Sequence, residues 1–206
     1  MTIEQDNKLL QKENRELKES ISRSVQDMQS LCEGYLFSLA KGPLKFANDP
    51  GSFERITLYV HDSGDRFIPI GRFSFHPEYA KRGRLSYPER EGCIARTWEN
   101  GSHFANDYPD PEMDLPGYYS RCMDDDISEE SINEIGMKSR LYYGYSISDT
   151  QGKKSIAVII VEATNPHRYT KEALTSIFKR ERYLSEITER LSPWMPSYEE
   201  AKEKGF

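Results

Sequence analysis

At 206 residues, the chain has the length of one domain with an appended segment. Its net charge of −6 argues against a sequence-independent nucleic-acid binder, which needs a basic surface to displace counterions, so we expect no direct nucleic-acid binding. No apolar run approaches the length of a membrane span, and the N-terminal residues lack the apolar block of a signal peptide. We therefore expect a cytoplasmic protein without membrane contact, whose three cysteines are free thiols.

The first 40 residues predict a long helix. Residues 3–40 contain no proline, and Gly42-Pro43 ends the segment. Apolar residues recur every seven positions, with asparagine at two a positions, as in a parallel two-stranded coiled coil. We expect residues 3–28 to form a homodimer and residues 29–40 to pack onto the domain; the alternative is a lone amphipathic helix packed on its own domain. The expected dimerisation residues are Asn7, Leu10, Asn14, Leu17, Ile21, Met28 and Leu31.

A β-hairpin is predicted after a linker rich in Pro, Gly, Asn and Asp at residues 46–52. Its first strand, 55–62, alternates apolar and polar residues as a half-buried strand does. Its second strand, 67–75, contains Pro69, which has no N–H to donate. This strand is therefore expected at a sheet edge or with a bulge.

The segment Gly92–Gly101 predicts a short amphipathic helix, followed by a brief strand. Ile94, Ala95 and Trp98 share one apolar face of this helix. The glycine at its end is a stop signal, because glycine adopts the left-handed conformation without steric cost. The following residues, 107–137, are acidic and mostly irregular.

Within that irregular stretch, residues 128–135 predict a helix that either Ser128 or Ser131 can cap. A second hairpin follows, with strands at 140–148 and 154–164. The later strand is apolar on both faces, which predicts a central position in the sheet.

The chain closes with a predicted amphipathic helix, Thr170–Leu191, that Pro193 ends. The remaining tail, 193–206, contains three residue types that are favoured at interfaces. These residues either anchor a partner or dock back on their own domain: Trp194, Met195 and Tyr198.

This order of elements predicts an α+β fold: an antiparallel sheet with helices on its faces, preceded by a long coiled-coil helix. Several short motifs lie within this order of elements: Tyr59, Asp62, Gly71-Arg72, Gly92–Gly101, Asp107-Tyr108-Pro109 and Val161-Glu162-Ala163. With these motifs, the chain resembles the GAF domain, a small sensory and regulatory fold, from about residue 33 to residue 192. We divide the chain into a helical coiled-coil segment (1–40), a GAF-like domain (41–192) and a C-terminal tail (193–206).

The resemblance implies a ligand between the sheet and a covering segment, here residues 76–137. Arg72, Arg96 and Arg140 are candidates to anchor a phosphate or carboxylate. An alternative is that the aromatic rings simply fill the core and that the arginines are exposed or ion-paired. The other candidate pocket residues are Phe73, Phe75, Tyr87, Ile94, Trp98, Phe104, Tyr108, Tyr118, Tyr119, Tyr143 and Tyr145.

Two cysteines suggest a second function. Free-methionine-(R)-sulfoxide reductases are stand-alone GAF enzymes that use cysteines around the pocket, and Cys93 and Cys122 are the candidates here. The helix dipole would favour the Cys93 thiolate. That family has a Cys-Gly pair where this chain has Cys93-Ile94, and the loop around Cys122 also departs from it. Motifs for a bilin or a cyclic nucleotide are absent, and the four histidines lack zinc-type spacing.

The sequence thus favours a non-catalytic, dimeric sensory or regulatory module that binds a small ligand or a partner protein and signals to a separate effector. The alternatives are the thiol enzyme and a ligand-free structural adaptor. The sequence does not identify a cofactor, and no metal site is expected.

Overall fold

The structure is a computed structural model that describes residues 3–47, 52–62, 64–81, 83–181 and 183–191, without the side chains of residues 3–6, 9, 21, 25 and 191. The predicted tail and residues 48–51 of the predicted linker lie outside this description. The elements are α1 (Ile3–Lys41), β1 (Glu54–Asp62), β2 (Arg66–Phe73), α2 (Pro77–Ala80), β3 (Tyr87–Pro88), α3 (Gly92–Asn100), β4 (Ser102–Ala105), α4 (Leu115–Met123), α5 (Glu129–Glu134), β5 (Leu141–Ser148), β6 (Ser155–Ala163), α6 (Lys171–Arg180) and α7 (Tyr183–Leu191).

The strands form one six-stranded antiparallel sheet in the order β3-β2-β1-β6-β5-β4. Both predicted hairpins are confirmed, as β1–β2 and β5–β6, and β6 lies in the middle of the sheet as its apolar sequence predicts. The predicted α+β fold class is therefore confirmed. The β1–β2 register shifts between Leu58 and Tyr59, opposite Pro69, so the bulge that Pro69 predicts is present.

Alternating side chains give the sheet two buried faces. On one, which we call the helical face, Leu58 and Ile159 pack against residues of α1, α6 and α7. On the other, the cover face, Tyr59 and Ile160 pack against α3. Helices α4 and α5 enclose a third apolar cluster beside Tyr142 of β5. We call α3, α4, α5 and the loops that join them the cover.

Close approach of α3 to the sheet depends on a glycine. A Cβ added at Gly144 of β5 would lie 1.7 Å from Oγ1 of Thr97, which is fully buried in α3. The helix ends where the sequence predicts, because Gly101 adopts the left-handed conformation at φ 76°.

Strand β1 differs from its prediction as a half-buried strand. It lies between β2 and β6, and residues of both parities are buried, including Thr57 and Tyr59 on the side that the alternation marks as polar. The reason is that the cover buries this second face. The supposedly exposed side chains of β1 therefore line the interior of the molecule.

Helix α4 was not predicted, because proline and glycine near its start suggest a loop. Pro116 lies in the first turn, where its missing N–H costs nothing. Asp114 caps the helix, and its Oδ1 accepts from the backbone N–H of Gly117 at 2.9 Å. The short elements α2 and β3 also lie within stretches that the pattern leaves unassigned. The predicted helix at 128–135 is confirmed as α5, capped by Ser128.

The single closing helix that the sequence predicts is divided into α6 and α7. Glu181 follows α6 in an extended conformation, and its N–H bonds to the carbonyl of Phe178. Phe178 and Leu184 are six positions apart, which would place their side chains about 120° apart around one continuous helix. The break allows both side chains to pack into the same core cluster.

The long helix α1 ends at Lys41, as Gly42-Pro43 predicts. Its last part packs on the helical face through Cys32, Leu36, Leu39 and Ala40. Met28 packs against the same cluster, and the side chain of Ile21 lies outside the described part of the chain. The other expected dimerisation residues are exposed in the single chain: Asn7, Leu10, Asn14, Leu17 and Leu31. None of the described helices is both long and apolar enough to cross a bilayer.

Candidate functional site

A cavity of about 250 Å³ lies between the cover face of the sheet and the cover. Its floor consists of side chains from four adjacent strands: Arg55, Tyr59, Arg72, Tyr142, Ile160 and Glu162. Its walls come from the start of α3 and from the region around α5: Gly92, Cys93, Ile94, Ile127, Ser131, Glu134, Ile135, Gly136 and Met137. The segment between β2 and α3 supplies the remaining side: Glu78, Tyr79, Lys81, Gly83, Arg84, Tyr87 and Glu91.

A buried ion pair forms part of the floor. Arg55 Nε donates to Glu162 Oε2 at 2.7 Å and Nη2 donates to Oε1 at 2.8 Å, so the pair is bidentate. Ser139 Oγ donates to the same carboxylate at 3.2 Å. Burial alone would raise the pKa of Glu162, but the Arg55 charge and these hydrogen bonds outweigh it and hold the pKa below its usual value. Glu162 is therefore ionised at neutral pH.

Arg72 presents a second guanidinium to the cavity. Its Nε donates to Thr57 Oγ1 at 3.2 Å, its Nη1 to the carbonyl of Lys81 at 2.9 Å, and its Nη2 to the Tyr87 hydroxyl at 3.5 Å. All three partners are neutral. In the described part of the chain, Arg72 forms no salt bridge with a carboxylate, in contrast to Arg55.

Arg84 links the β2–α3 segment to the cover. Its Nη1 donates to Glu91 Oε2 at 3.0 Å and to Ser131 Oγ of α5 at 3.1 Å, and its Nη2 also donates to Glu91. Its guanidinium lies 4.4 Å from the ring centroid of Tyr87. These contacts hold α5 over the cavity.

The phenols of the floor stay neutral at physiological pH. Burial raises the pKa of Tyr59 and raises the pKa of Tyr142 well above its ordinary value. The ring of Tyr59 packs edge-on against that of Tyr87 at 5.2 Å. The floor therefore combines apolar ring surface with hydroxyl groups that can donate hydrogen bonds.

Cys93 and Cys122 are both buried, and they lie in different apolar clusters. Cys93 lines the cavity, and its sulfur lies 3.8 Å from Thr97 Oγ1. Burial raises the pKa of the Cys93 thiol and raises that of Cys122 to about 11. Both thiols are thus protonated at neutral pH, because burial outweighs the helix dipole at Cys93.

Of the aromatic, apolar and arginine side chains predicted for the pocket, Arg72, Tyr87 and Ile94 line the cavity. Trp98 lies at the edge of the α3 cluster and stacks on His61 at 4.7 Å. Five others pack with the core of the helical face, on the opposite side of the sheet: Phe73, Phe75, Phe104, Tyr143 and Tyr145. Three tyrosines belong to the cluster around α4: Tyr108, Tyr118 and Tyr119.

The two remaining predicted anchors form ion pairs away from the cavity. Arg96 pairs with Asp125 and Asp126, and Arg140 Nη1 lies 2.8 Å from Asp110 Oδ2. No described group of three or more His, Cys, Asp or Glu residues is arranged to hold a metal ion.

The sequence prediction missed five floor residues: Arg55, Tyr59, Tyr142, Ile160 and Glu162. A signal for three of them exists in the strand alternation. Arg55 and Tyr59 share the parity of Thr57, and the register pairs Arg55 with Glu162 and Thr57 with Arg72, so all lie on one face. The alternation marks this face of β1 as polar, which is typical of exposure to solvent, so the pattern does not point to the partners of β1 on β6 as cavity residues.

The antiparallel sheet, the helices on both faces and the cavity under the cover are those of a GAF-like fold. No protein-family model and no curated protein sequence matches the chain. Solved structures do match over most of its length. The GAF domain of an Acinetobacter phosphoenolpyruvate-protein phosphotransferase superposes with a TM-score of 0.55 at 12% identity, over 95% of this chain and 99% of that one.

Two further matches differ in their biochemistry. The GAF domain of a phosphoenolpyruvate-protein phosphotransferase from Coxiella burnetii superposes with a TM-score of 0.54 at 14% identity, over 84% of this chain and 94% of that one. A type II free methionine-R-sulfoxide reductase from Thermoplasma acidophilum superposes with a TM-score of 0.53 at 10% identity, over 81% of this chain and 94% of that one. At these identities the likeness shows the fold alone.

Proposed function

We propose that the chain is a non-catalytic sensory or regulatory module, in which the GAF-like domain binds a small molecule and signals to a separate effector protein. The observation that carries this proposal is the cavity itself, which lies between a buried sheet face and the cover and has charged, phenolic and apolar lining. Such a combination is typical of ligand sites. The protonated state of both candidate thiols favours binding over thiol chemistry.

A route from the cavity to α1 runs through β2. A Cβ added at Gly71 would lie 2.9 Å from Cβ of Cys32, so β2 and α1 are in direct contact there. The next residue, Arg72, points into the cavity on the other face. A ligand that shifts Arg72 would therefore act on the strand that supports α1, to the extent that it binds two arrangements with different affinity.

The exposed N-terminal part of α1 is the proposed dimerisation segment. Leu10 and Leu17 are seven residues apart and are 55% and 60% exposed in the single chain. A second copy that packs along this seam would bury both side chains. Leu10→Asp with Leu17→Asp should then give a folded monomer by light scattering, with unchanged near-UV circular dichroism.

Native mass spectrometry of gently purified protein tests the main proposal. We expect a dimer that carries an extra, non-covalent mass, which is lost on denaturation. A bare dimer would instead favour the ligand-free adaptor, and a bare monomer would contradict both the ligand and the coiled coil.

A thiol reductase is the second candidate, because the Cys93 thiol borders the cavity and one matched fold is that of a free methionine-R-sulfoxide reductase. Thioredoxin-coupled turnover of free methionine sulfoxide, abolished by Cys93→Ser, would establish it. No turnover by the native protein would eliminate it.

A further inference from the structure

Among the described residues of the cavity lining, four cations and four carboxylates balance in charge. Three of the four possible pairs are made. Arg55 pairs with Glu162, Lys81 with Glu78 and Arg84 with Glu91. Of the described lining residues, this leaves the cation Arg72 and the carboxylate Glu134, which is exposed to solvent in α5.

Arg72 retains donors for another group. A guanidinium carries five N–H donors, and three of those of Arg72 are used by Thr57, Lys81 and Tyr87. Space beside them is kept open by Gly83, where an added Cβ would lie 3.1 Å from both Arg72 Nη1 and the Tyr87 hydroxyl. An acceptor that approaches Arg72 from the cavity can thus bind without displacing an existing salt bridge.

Apolar side chains supply the other lining. Ile160 belongs to the floor, and Ile94 and Met137 belong to the walls. At about 250 Å³ the cavity is smaller than the range of about 300–1,000 Å³ for drug-sized ligands. The cavity is therefore suited to a ligand smaller than a nucleotide.

We infer that the ligand is a small monocarboxylic acid whose carboxylate binds Arg72 and whose apolar body packs against Ile94, Ile160 and Met137. A carboxylate matches a guanidinium in charge and in its planar, two-point geometry. A phosphate dianion fits less well, because the other lining cations that the structure describes are already paired, so its extra charge would stay uncompensated by them in a largely buried site. This inference rests on the proposed sensory function and specifies its ligand class.

The test uses three probes with one ring and different head groups: benzoate, benzamide and phenyl phosphate. Their affinities for the full chain are measured by calorimetry and by ligand-observed saturation-transfer NMR. We expect benzoate to bind at least about tenfold more tightly than either other probe, which corresponds to about 1.4 kcal/mol.

Two variants locate the acid group. Arg72→Gln should weaken benzoate at least about tenfold and leave benzamide unchanged, whereas Arg140→Gln, which removes an arginine outside the cavity, should change neither. Gly83→Val retains the Arg72 charge but occupies the space beside it, so it should also weaken benzoate. This second variant keeps the test decisive if Arg72→Gln does not fold.

Other results would overturn the inference. Equal affinity for benzoate and benzamide, a preference for phenyl phosphate, or benzoate binding unaffected by both Arg72→Gln and Gly83→Val would each do so. If no probe binds while the native protein carries a neutral molecule, the acid inference fails and the sensory proposal stands. If no probe binds and the native protein is bare, both fail.

Discussion

The buried pair Arg55–Glu162 allows a sharp test of how this floor is stabilised. Its two side chains are 13% and 7% exposed, with Nε and Oε2 2.7 Å apart. The pair Lys81–Glu78 has the same 2.7 Å separation, but its side chains are 66% and 64% exposed. The two pairs therefore differ in burial and in the bidentate geometry that Arg55 adds.

Glu162→Gln leaves the Arg55 guanidinium buried without a counter-charge. Breaking a buried pair from one side costs about 3–5 kcal/mol of unfolding free energy. With a urea m-value of about 2 kcal/mol/M, the midpoint should fall by roughly 1.5–2.5 M. The depressed pKa of Glu162 predicts the matching pH dependence. The contribution of the Glu162 carboxylate to the free energy of unfolding is complete above its pKa in the unfolded chain, about 4.5, and is lost as the pH falls through its lower pKa in the folded protein.

The assay is equilibrium urea unfolding at pH 7, followed by tyrosine fluorescence and far-UV circular dichroism. Glu78→Gln is the matched control, and its midpoint should equal that of the native protein, because solvent screens an exposed pair. The double variant Arg55→Met with Glu162→Leu should recover part of the loss, since it leaves no buried charge. Equal costs for Glu162→Gln and Glu78→Gln would refute the argument from burial.

Three further predictions concern other parts of the fold. Gly144→Ala should destabilise the protein by at least about 1–3 kcal/mol, because its Cβ would overlap Thr97; Gly136→Ala, where nothing lies within 4 Å, should show no such loss in the same thermal melt. Burial lowers the pKa of His103 below 6.5, so the unfolded chain takes up the proton at a higher pH than the folded chain does. The urea midpoint should therefore decrease as the pH falls below about 6.5, and His103→Gln should abolish that decrease. The three buried cysteines should react slowly with a disulfide reagent at pH 8, because burial raises the pKa of each thiol. At Cys122, a pKa of about 11 instead of 9.0 reduces the thiolate about 100-fold, and rapid labelling of the folded protein would contradict this.

Hydrophobic periodicity was enough to predict most of the fold. The alternation in the two hairpins, the doubly apolar β6 and the stop at Gly101 are local signals that the structure follows. Periodicity does not predict helix α4, because Pro116 and Gly117 suggest a turn. Both residues nevertheless fit the first turn of a helix that Asp114 caps. The break after α6 also has no local stop residue. It is explained by tertiary packing, because it allows Phe178 of α6 and Leu184 of α7 to pack into the same core cluster.

The cavity was harder to predict than the fold, because its members are set by which face of the sheet each side chain occupies. An aromatic residue in a strand is equally plausible on either side until the position of the cover is known. Tyr142 and Tyr143 are adjacent, yet Tyr142 lines the cavity and Tyr143 packs in the core of the helical face. A shift of one residue exchanges the two sets completely.

The bulge in β2 illustrates how a local feature decides which residue faces the cavity. Phe67 packs with the cover-face cluster and Ile68 with the helical-face core, so strict alternation from there would direct Arg72 to the helical face. The register shift beyond Pro69 instead places Ile70 and Gly71 together toward α1 and returns Arg72 to the cavity. Pro69 suits this position because a bulge does not require its missing N–H. The bulge that Pro69 predicts therefore has two consequences: it places Gly71 against α1, and it places the guanidinium of Arg72 in the cavity.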